Sequence, residues 1–512
     1  MKKILFFICS ILLYSCEHSE DEQPNVIIPE VHYDIVIVGA GISGISAAYA
    51  LKDAGLKVAL IEKQTTIGGT QINAWVNCNA ASGDVPYIRE ITKELISLGK
   101  AKYVTSGYQN FTPEVLKGID YQCTLVEQRF LKNGKVEACV SYNIDDLRNR
   151  YLNDLAESID IYTSYSFVSA KLVGESQLSE ILVDDLNTME QKRFIAKLFI
   201  DSSGDDILVR NVCPLRDEDF FVGSDSKNRY FVSHGFVEAH ASHIDDPDCL
   251  NYPTLMYNIV PGSEDLENVQ SGYYNDALVY STPNNTLYVN SVSYLAYPEY
   301  DLGQNATGDA VIHYGADVVR NSLITRTHQH WKTIKMGNSP RFAVLGLHKM
   351  KYNEYAPMLG VRETYRASCE RMLNENDLYI QISQQNIGQG TNLDKKIAIG
   401  NHSVDIHGNT AIDVKFINEN LKPYGVAYGC LVPKKLANVL VASRGAGFTH
   451  IGAATFRLNK DMAQIGWVAG KAALMFCEGG LENVRDVDVS ILQSDAYSGF
   501  AGLVREVESM IQ

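Results

Sequence analysis

The spacing of apolar and polar positions changes period several times along the chain. Between Asp34 and Glu62 an apolar, β-branched run (Ile35-Val36-Ile37-Val38) breaks at a glycine turn. Apolar residues then recur at helical spacing as far as Leu51, and a second apolar run follows from Val58 to Ile61. That order predicts strand, turn, helix, strand, a βαβ unit with parallel strands. Further helices are predicted from about Val85 to Leu98 and from about Ile144 to Ser158, with strands between Ile161 and Ala196. Beyond about Asp217 the chain becomes rich in Tyr, Asn, Ser and His and alternates, as in Thr286-Leu287-Tyr288-Val289-Asn290-Ser291-Val292, interrupted by a long helix from about Ala316 to Lys335. Alternation of that kind marks half-buried strands. A short buried strand at Asn438–Ser443 and a helix from about Asn459 to Met475 restore the earlier style. The fold class expected is therefore α/β, a Rossmann-like domain with an inserted α+β substrate domain. The first part of that domain is assigned to 32–216, the insertion to 217–428, the return segment to 429–478 and a C-terminal segment to 479–512.

The first residues alter the picture of where the chain works. Lys2 and Lys3 precede an apolar run from Ile4 to Tyr14, too short to span a bilayer, and Ser15-Cys16 follows. Leu13-Tyr14-Ser15-Cys16 resembles a bacterial lipobox, which implies cleavage and lipidation at Cys16. Residues 17–31 then read as a solvated tether. The expected location is the cell envelope, lipid-anchored, at the periplasmic or outer-surface face of the outer membrane, with membrane contact through the N-terminal lipid only. A net charge of −16 argues against a nucleic-acid partner, which needs a basic face. The cysteines are scattered without C-x-x-C spacing, so no metal or iron–sulfur site is expected.

The glycine turn carries candidate chemistry. Gly39 permits a tight exit from the strand, Gly41 lets a pyrophosphate approach the backbone, and Gly44 lets helix and strand pack closely. The phosphates would rest on the first-turn amides, around Ile42 and Ser43, where the helix dipole favours an anion. Glu62, followed by Lys63, is placed to accept from ribose hydroxyls. Gly68-Gly69, with Thr70 after them, extend the motif. The extended pattern resembles the glutathione-reductase-type FAD fold, which implies FAD rather than a nicotinamide cofactor. Asp201 and Gly204, within Leu198–Asp206, resemble the later strand of such folds that returns to the adenosine side. One complete fingerprint is present, so no separate NAD(P)H domain is expected.

Later segments match a known family in register: Gly360-Val361-Arg362-Glu363-Thr364-Tyr365-Arg366, Ile399-Gly400 to Asp405-Ile406-His407, Pro423–Tyr428, Leu431-Val432-Pro433, Arg444, His450, Arg457 and a closing Gly466-x-x-x-Gly470 helix. On these the chain, from roughly Asp34 to Leu474, resembles bacterial FAD-dependent oxidoreductases related to the flavoprotein part of heterodisulfide reductase A. It departs at Tyr365, where an arginine pair is usual, and at Gly429, where arginine often follows the tyrosine. The resemblance implies that Arg444 belongs to the cofactor site and that the last helix points its N-terminus at the flavin pyrimidine, reinforced by Arg457. His450, expected in the preceding loop, is the favoured proton donor or acceptor, and His407 the second candidate. Asp405 and His407 would share one face of a strand. Arg362, with Glu363 and Arg366, could clamp an anion or, one helical turn apart, brace the domain junction. Tyr424 and Tyr428 could line the pocket, and Cys78 could tether the flavin. The reading is an envelope oxidoreductase transferring a hydride between flavin and a small polar, carbohydrate-like metabolite, its electron partner being substrate, quinone or protein. The alternative is a surface-anchored ligand-binding lipoprotein on a flavoprotein scaffold; a flavin-dependent disulfide reductase would need a redox thiol pair.

Overall fold

The computed structural model describes residues 28–80, 85–105, 138–213, 219–264, 278–290, 308–336, 346–385, 387–388, 390–407, 411–494 and 498–511. The expected signal peptide, Cys16 and most of the tether lie outside the described residues. The tether as read from sequence ends late: Glu30 and Val31 already pair with Arg193 and Phe194 in the sheet, because their backbone groups find a ladder partner there.

Strand β1 (Glu30–Val38), helix α1 (Ile42–Leu51) and strand β2 (Val58–Glu62) form the first unit. Ile35, Val36 and Ile37 are fully buried, which explains a continuous apolar run where an edge strand would alternate. Each such side chain contributes about 1.5–3 kcal/mol by leaving water. After α2 (Gly69–Ile72), a small antiparallel sheet of β3 (Cys78–Ala80), β4 (Ala101–Thr105) and β5 (Ala138–Tyr142) stands beside α3 (Pro86–Ser97) and α4 (Ile144–Leu155). The main sheet is completed by β6 (Asp160–Thr163), β7 (Tyr165–Val173), β8 (Gln177–Asp185) and β9 (Gln191–Asp201). Its order is β6-β2-β1-β9-β8-β7, with the returning strand β18 (Val439–Val441) laid parallel on the end of β9. Strands β1, β2, β6, β9 and β18 run parallel, while β7 and β8 form an antiparallel edge.

All ten residues of α1 are buried. The cause is a second helix, α7 (Asn459–Glu478), which lies against it and also touches β9. Backbones meet there directly, for a Cβ on Gly466 would stand 2.1 Å from the Ser43 carbonyl oxygen and one on Gly470 2.5 Å from that of Ala47. The Gly466-x-x-x-Gly470 spacing thus lets α7 sit on α1 without intervening side chains.

The insertion is built on a four-stranded antiparallel sheet, in the order β12 (Leu278–Ser281), β13 (Leu287–Asn290), β11 (Tyr257–Pro261), β14 (Met350–Tyr355). Helix α5 (Ala316–Met336) packs Trp331 and Ile334 onto Tyr257, Ile259 and Val289 of that sheet. Two ribbons, β10 (Phe220–Val222) with β15 (Tyr365–Ala367) and β16 (Lys396–Gly400) with β17 (Tyr424–Ala427), link it back to the first domain. Helix α8 (Phe500–Met510) buries Phe500, Val504 and Val507 against Ile382 and Ile399. Among the described residues no helix is long and apolar enough to cross a membrane.

Candidate functional site

The parallel strands bring Val38, Glu62, Asp201 and Val441 to one edge, since Val38 pairs with Ile61 and Asp201, and Asp201 with Val441. Ligands of open α/β sheets sit outside this carboxyl edge. Gly39 leaves β1 at φ 99°, and a Cβ there would meet the Ser202 carbonyl oxygen at 2.4 Å. A Cβ on Gly44 would lie 1.9 Å from the Gly39 oxygen, and one on Gly69 2.7 Å from the Gly41 Cα. Gly41 differs: its Cβ would meet only Gly69 Cα, at 4.0 Å, so its bare side faces open space. As N-cap of α1 it offers no side-chain acceptor, and the first turn holds no acidic residue. The amides around Ile42 and Ser43 therefore end in the positive pole of a helix with no protein anion to meet it. The Ser43 hydroxyl turns the other way and donates to the Ala442 carbonyl. An uncapped helix start beside a bare glycine is a cradle that fits a dinucleotide pyrophosphate.

Glu62 proves to be a loop clamp as well as a ribose candidate. It is 8% exposed and accepts from the amides of Ala40 and Gln64, both at 2.8 Å. Burial pushes its carboxyl pKa upward, opposed by those amides. Lys63 beside it is exposed, and Thr70 uses its carbonyl to accept from Val76. Asp201 is wholly buried and accepts from the Ser203 amide and hydroxyl and the Leu208 amide, which fixes the turn after β9. Gly204, at φ 83°, gives room to the Arg444 guanidinium, which pairs with Asp205 at 2.9 Å. Beside them Asp206, unremarked in the sequence, is fully buried with neither carboxylate oxygen hydrogen-bonded. Burial, then Asp201, raises its pKa strongly.

The second half of the site is ionic. Arg362 and Arg366 are not one helical turn apart: the chain bends at Thr364 and enters β15 extended, and the two side chains find separate partners. Arg366 points inward, fully buried, to Glu363, Asp225 and the Gly223 carbonyl. Its two terminal nitrogens are spent on the protein, while its Nε is buried without a partner. Glu363 also lies 2.8 Å from His450 Nδ1 and accepts from the Asn251 side chain at 2.7 Å. Burial opposes its charge most strongly, yet His450 and Arg366 hold its pKa down to about 2. His450 is not in a loop. It opens helix α6 (His450–Thr455) behind the N-cap Thr449, and its own amide donates to Asp225 at 2.7 Å. Its Nε2 is buried and has no partner.

Arg362 faces the opposite way, donating through Nη1 to the Tyr252 carbonyl at 2.7 Å and the Thr254 hydroxyl at 2.6 Å. Burial, then Arg457, lowers its pKa to about 10. Arg457 is not a surface residue: its side chain is 8% exposed and donates to Asp405, while its Nη1 is buried without a partner. Asp405 and His407 lie in an irregular segment, not a strand, and still meet, Oδ2 to Nε2 at 2.7 Å. Burial, then Arg362, lowers the His407 pKa to about 4, so it is neutral near pH 7.

The tyrosines expected to line the pocket do not face it. Tyr424 and Tyr428 are fully buried and their hydroxyls meet Thr455 and the Val484 carbonyl. Cys78 is buried in β3 near Tyr280. Asp225, the carboxylate joining Arg366, Tyr230 and the His450 amide, was missed because no local pattern announces a residue whose partners lie 141 and 225 positions away. A cleft of about 390 Å³ lined by Tyr49, Tyr87, Arg150 and Trp467 lies on the outer flank of α1, apart from these groups.

The family model described as FAD dependent oxidoreductase matches residues 34–495. Among curated proteins, the NADH:fumarate oxidoreductase of Klebsiella pneumoniae is 36% identical over 87 residues, 17% of this chain and 9% of that protein. The fumarate reductase (cytochrome) of Shewanella frigidimarina is 40% identical over 76 residues, 15% of this chain and 13% of that one. The iron-sulfur protein of the CoB–CoM heterodisulfide reductase of Methanopyrus kandleri is 55% identical over 40 residues, 8% of this chain and 6% of that protein. The matches thus span only a small part of these relatives. Among solved structures, a geranylgeranyl bacteriochlorophyll reductase-like protein of Thermoplasma acidophilum aligns over 93% of this chain and 88% of its own, at 11% identity and a TM-score of 0.41.

Proposed function

Because this chain belongs to the FAD dependent oxidoreductase family, we propose that it oxidises or reduces a small polar metabolite beside the cluster of Arg362, Asp405, His407 and Arg457, with His450 as its proton-handling residue. It is an enzyme, and its cofactor is FAD. When bound, FAD supplies two-electron chemistry at its isoalloxazine ring. The amides of Ile42 and Ser43 hold the pyrophosphate against the bare side of Gly41, and Glu62 offers its remaining lone pairs to the adenosine ribose. Glu363 holds the His450 ring through Nδ1, which leaves Nε2 to give or take a proton. That buried, unpartnered Nε2 behind an ionised carboxylate is the observation that carries the catalytic reading. Electrons are exchanged with a second substrate, a quinone or a protein. The mature chain works in the cell envelope, held by lipid on Cys16, a reading supported by the basic start, the short apolar run and the lipobox-like tetrapeptide.

Purified mature chain tests the reading. Yellow protein whose flavin bands bleach with a polar metabolite under anaerobic conditions, and stop bleaching when His450→Ala is introduced, supports it. A colourless chain that still binds ligand overturns it in favour of a binding lipoprotein.

A further inference from the structure

Away from the residues discussed so far, Asp248, Asp309 and His313 each present one ligand atom, and the three atoms lie within 4.8 Å of one another. Backbone packing holds their two segments together, since a Cβ on Gly308 would stand 2.0 Å from the Leu250 carbonyl oxygen. The Asp246 carboxylate accepts the Asp248 amide, and the Asp309 carbonyl accepts the His313 amide at the start of the short helix Ala310–Tyr314. Asp309 and His313, four apart, thus share one helix face. Asp309 holds the N-cap position, yet its side chain makes no capping bond. His313 is unlike the other histidines that meet a carboxylate among the described residues. His240 with Glu375, His407 with Asp405 and His450 with Glu363 close to 2.5, 2.7 and 2.8 Å. His313 Nε2 stands 3.5 Å from Asp248 Oδ1 and 3.5 Å from Asp309 Oδ2, beyond hydrogen-bond length in both directions. Ligand atoms around a tetrahedral ion bound at about 2.1 Å are about 3.4 Å apart. The spacing is therefore that of neighbours on one ion.

We propose that Asp248, Asp309 and His313 bind a divalent transition-metal ion, zinc in the first place, with water completing the tetrahedron. The two carboxylates cancel the charge of such an ion. The imidazole selects against calcium and magnesium, which take oxygen ligands. Asn251, three residues after Asp248, donates to Glu363 through its side chain and accepts the His407 amide. The ion thereby ties the short helix to the loop that steadies the partner of His450 and the backbone of His407.

The test titrates zinc chloride into the untagged, chelator-stripped full mature protein against a chromophoric zinc chelator, with manganese and calcium chloride as further arms. It reads ions bound per chain. The parent should bind one zinc ion more than His313→Ala, and Asp309→Asn should weaken that site at least ~10-fold. Far-UV circular dichroism checks that both variants are folded. Cys249→Ser, next to Asp248, and His348→Ala, an exposed histidine elsewhere, should keep the site. Manganese should bind it more weakly than zinc, and calcium should not compete. Zinc should also raise the melting temperature of the parent more than that of His313→Ala. Equal zinc uptake by the parent and His313→Ala, loss of the site in Cys249→Ser, or calcium bound as tightly as zinc would each overturn the proposal.

Discussion

The two halves of the candidate site are built by opposite means. At the β1–α1 end the working parts are backbone: bare glycines, free amides and a helix pole, with Glu62 turned to bracing Ala40 and Gln64. At the α6–α7 end they are ionised side chains delivered from segments far apart, each needing a partner to tolerate burial. The first end is rigid because backbone touches backbone, with Glu62, its pKa raised by burial, as the titratable brace of the loop. The second depends on charge balance, so protonation or loss of one member is felt by the rest.

That contrast can be broken at either end. The largest effect belongs to Gly466→Leu, whose side chain would have to occupy the contact with the Ser43 oxygen, 2.1 Å from the Cβ position. It should yield no soluble folded protein, as judged by expression and far-UV circular dichroism. Next comes Arg366→Met, which leaves Glu363 and Asp225 buried without their cation. Denaturant titration should show a loss of about 3–5 kcal/mol. The pH dependence of stability then separates two carboxylates. Burial, then Asp225, raises the Glu238 pKa from 4.5 to about 8, so its contribution is complete below pH 4.5 and fades as pH rises through 8. Glu363, lowered from 4.5 to about 2, contributes above pH 4.5 and fades as pH falls toward 2. Melting temperature against pH should therefore fall on both sides, and Glu238→Gln should flatten only the alkaline limb. The smallest effect is that of Arg193→Met, which removes half-buried pairings with Glu30 and Glu180 and should cost about 1 kcal/mol or less.

The same contrast governs what could be read before the fold was known. The βαβ unit, the tight turn at Gly39 and the close packing at Gly44 were legible because the strands' apolar runs and the glycine spacing are local consequences of their geometry, whereas the α7 helix was legible but not its seat on α1. In the insertion one strand and the long helix were visible, α5 ending one residue past the expected Lys335 and β13 lying within the alternating stretch 286–292. The ionic half was legible only as residue types. Arg362, His407, His450 and Arg457 could be named, but not that Arg366 turns inward, that His450 opens a helix, or that Asp225 joins them. Helical spacing misled at Arg362–Arg366, where pairing of β15 with β10 overrides it. Asp206 was invisible because its peculiarity is an absence of partners.

Flavin content of Gly41→Val against the parent chain tests the central claim most directly. A Cβ at that position meets nothing nearer than 4.0 Å, and the backbone there is extended at φ −69°, so the variant should fold and melt like the flavin-free parent. The pyrophosphate would find its approach to the amides blocked, so the parent should purify yellow with about one FAD per chain and the variant colourless. A folded Gly41→Val protein that keeps its full flavin complement would contradict the account.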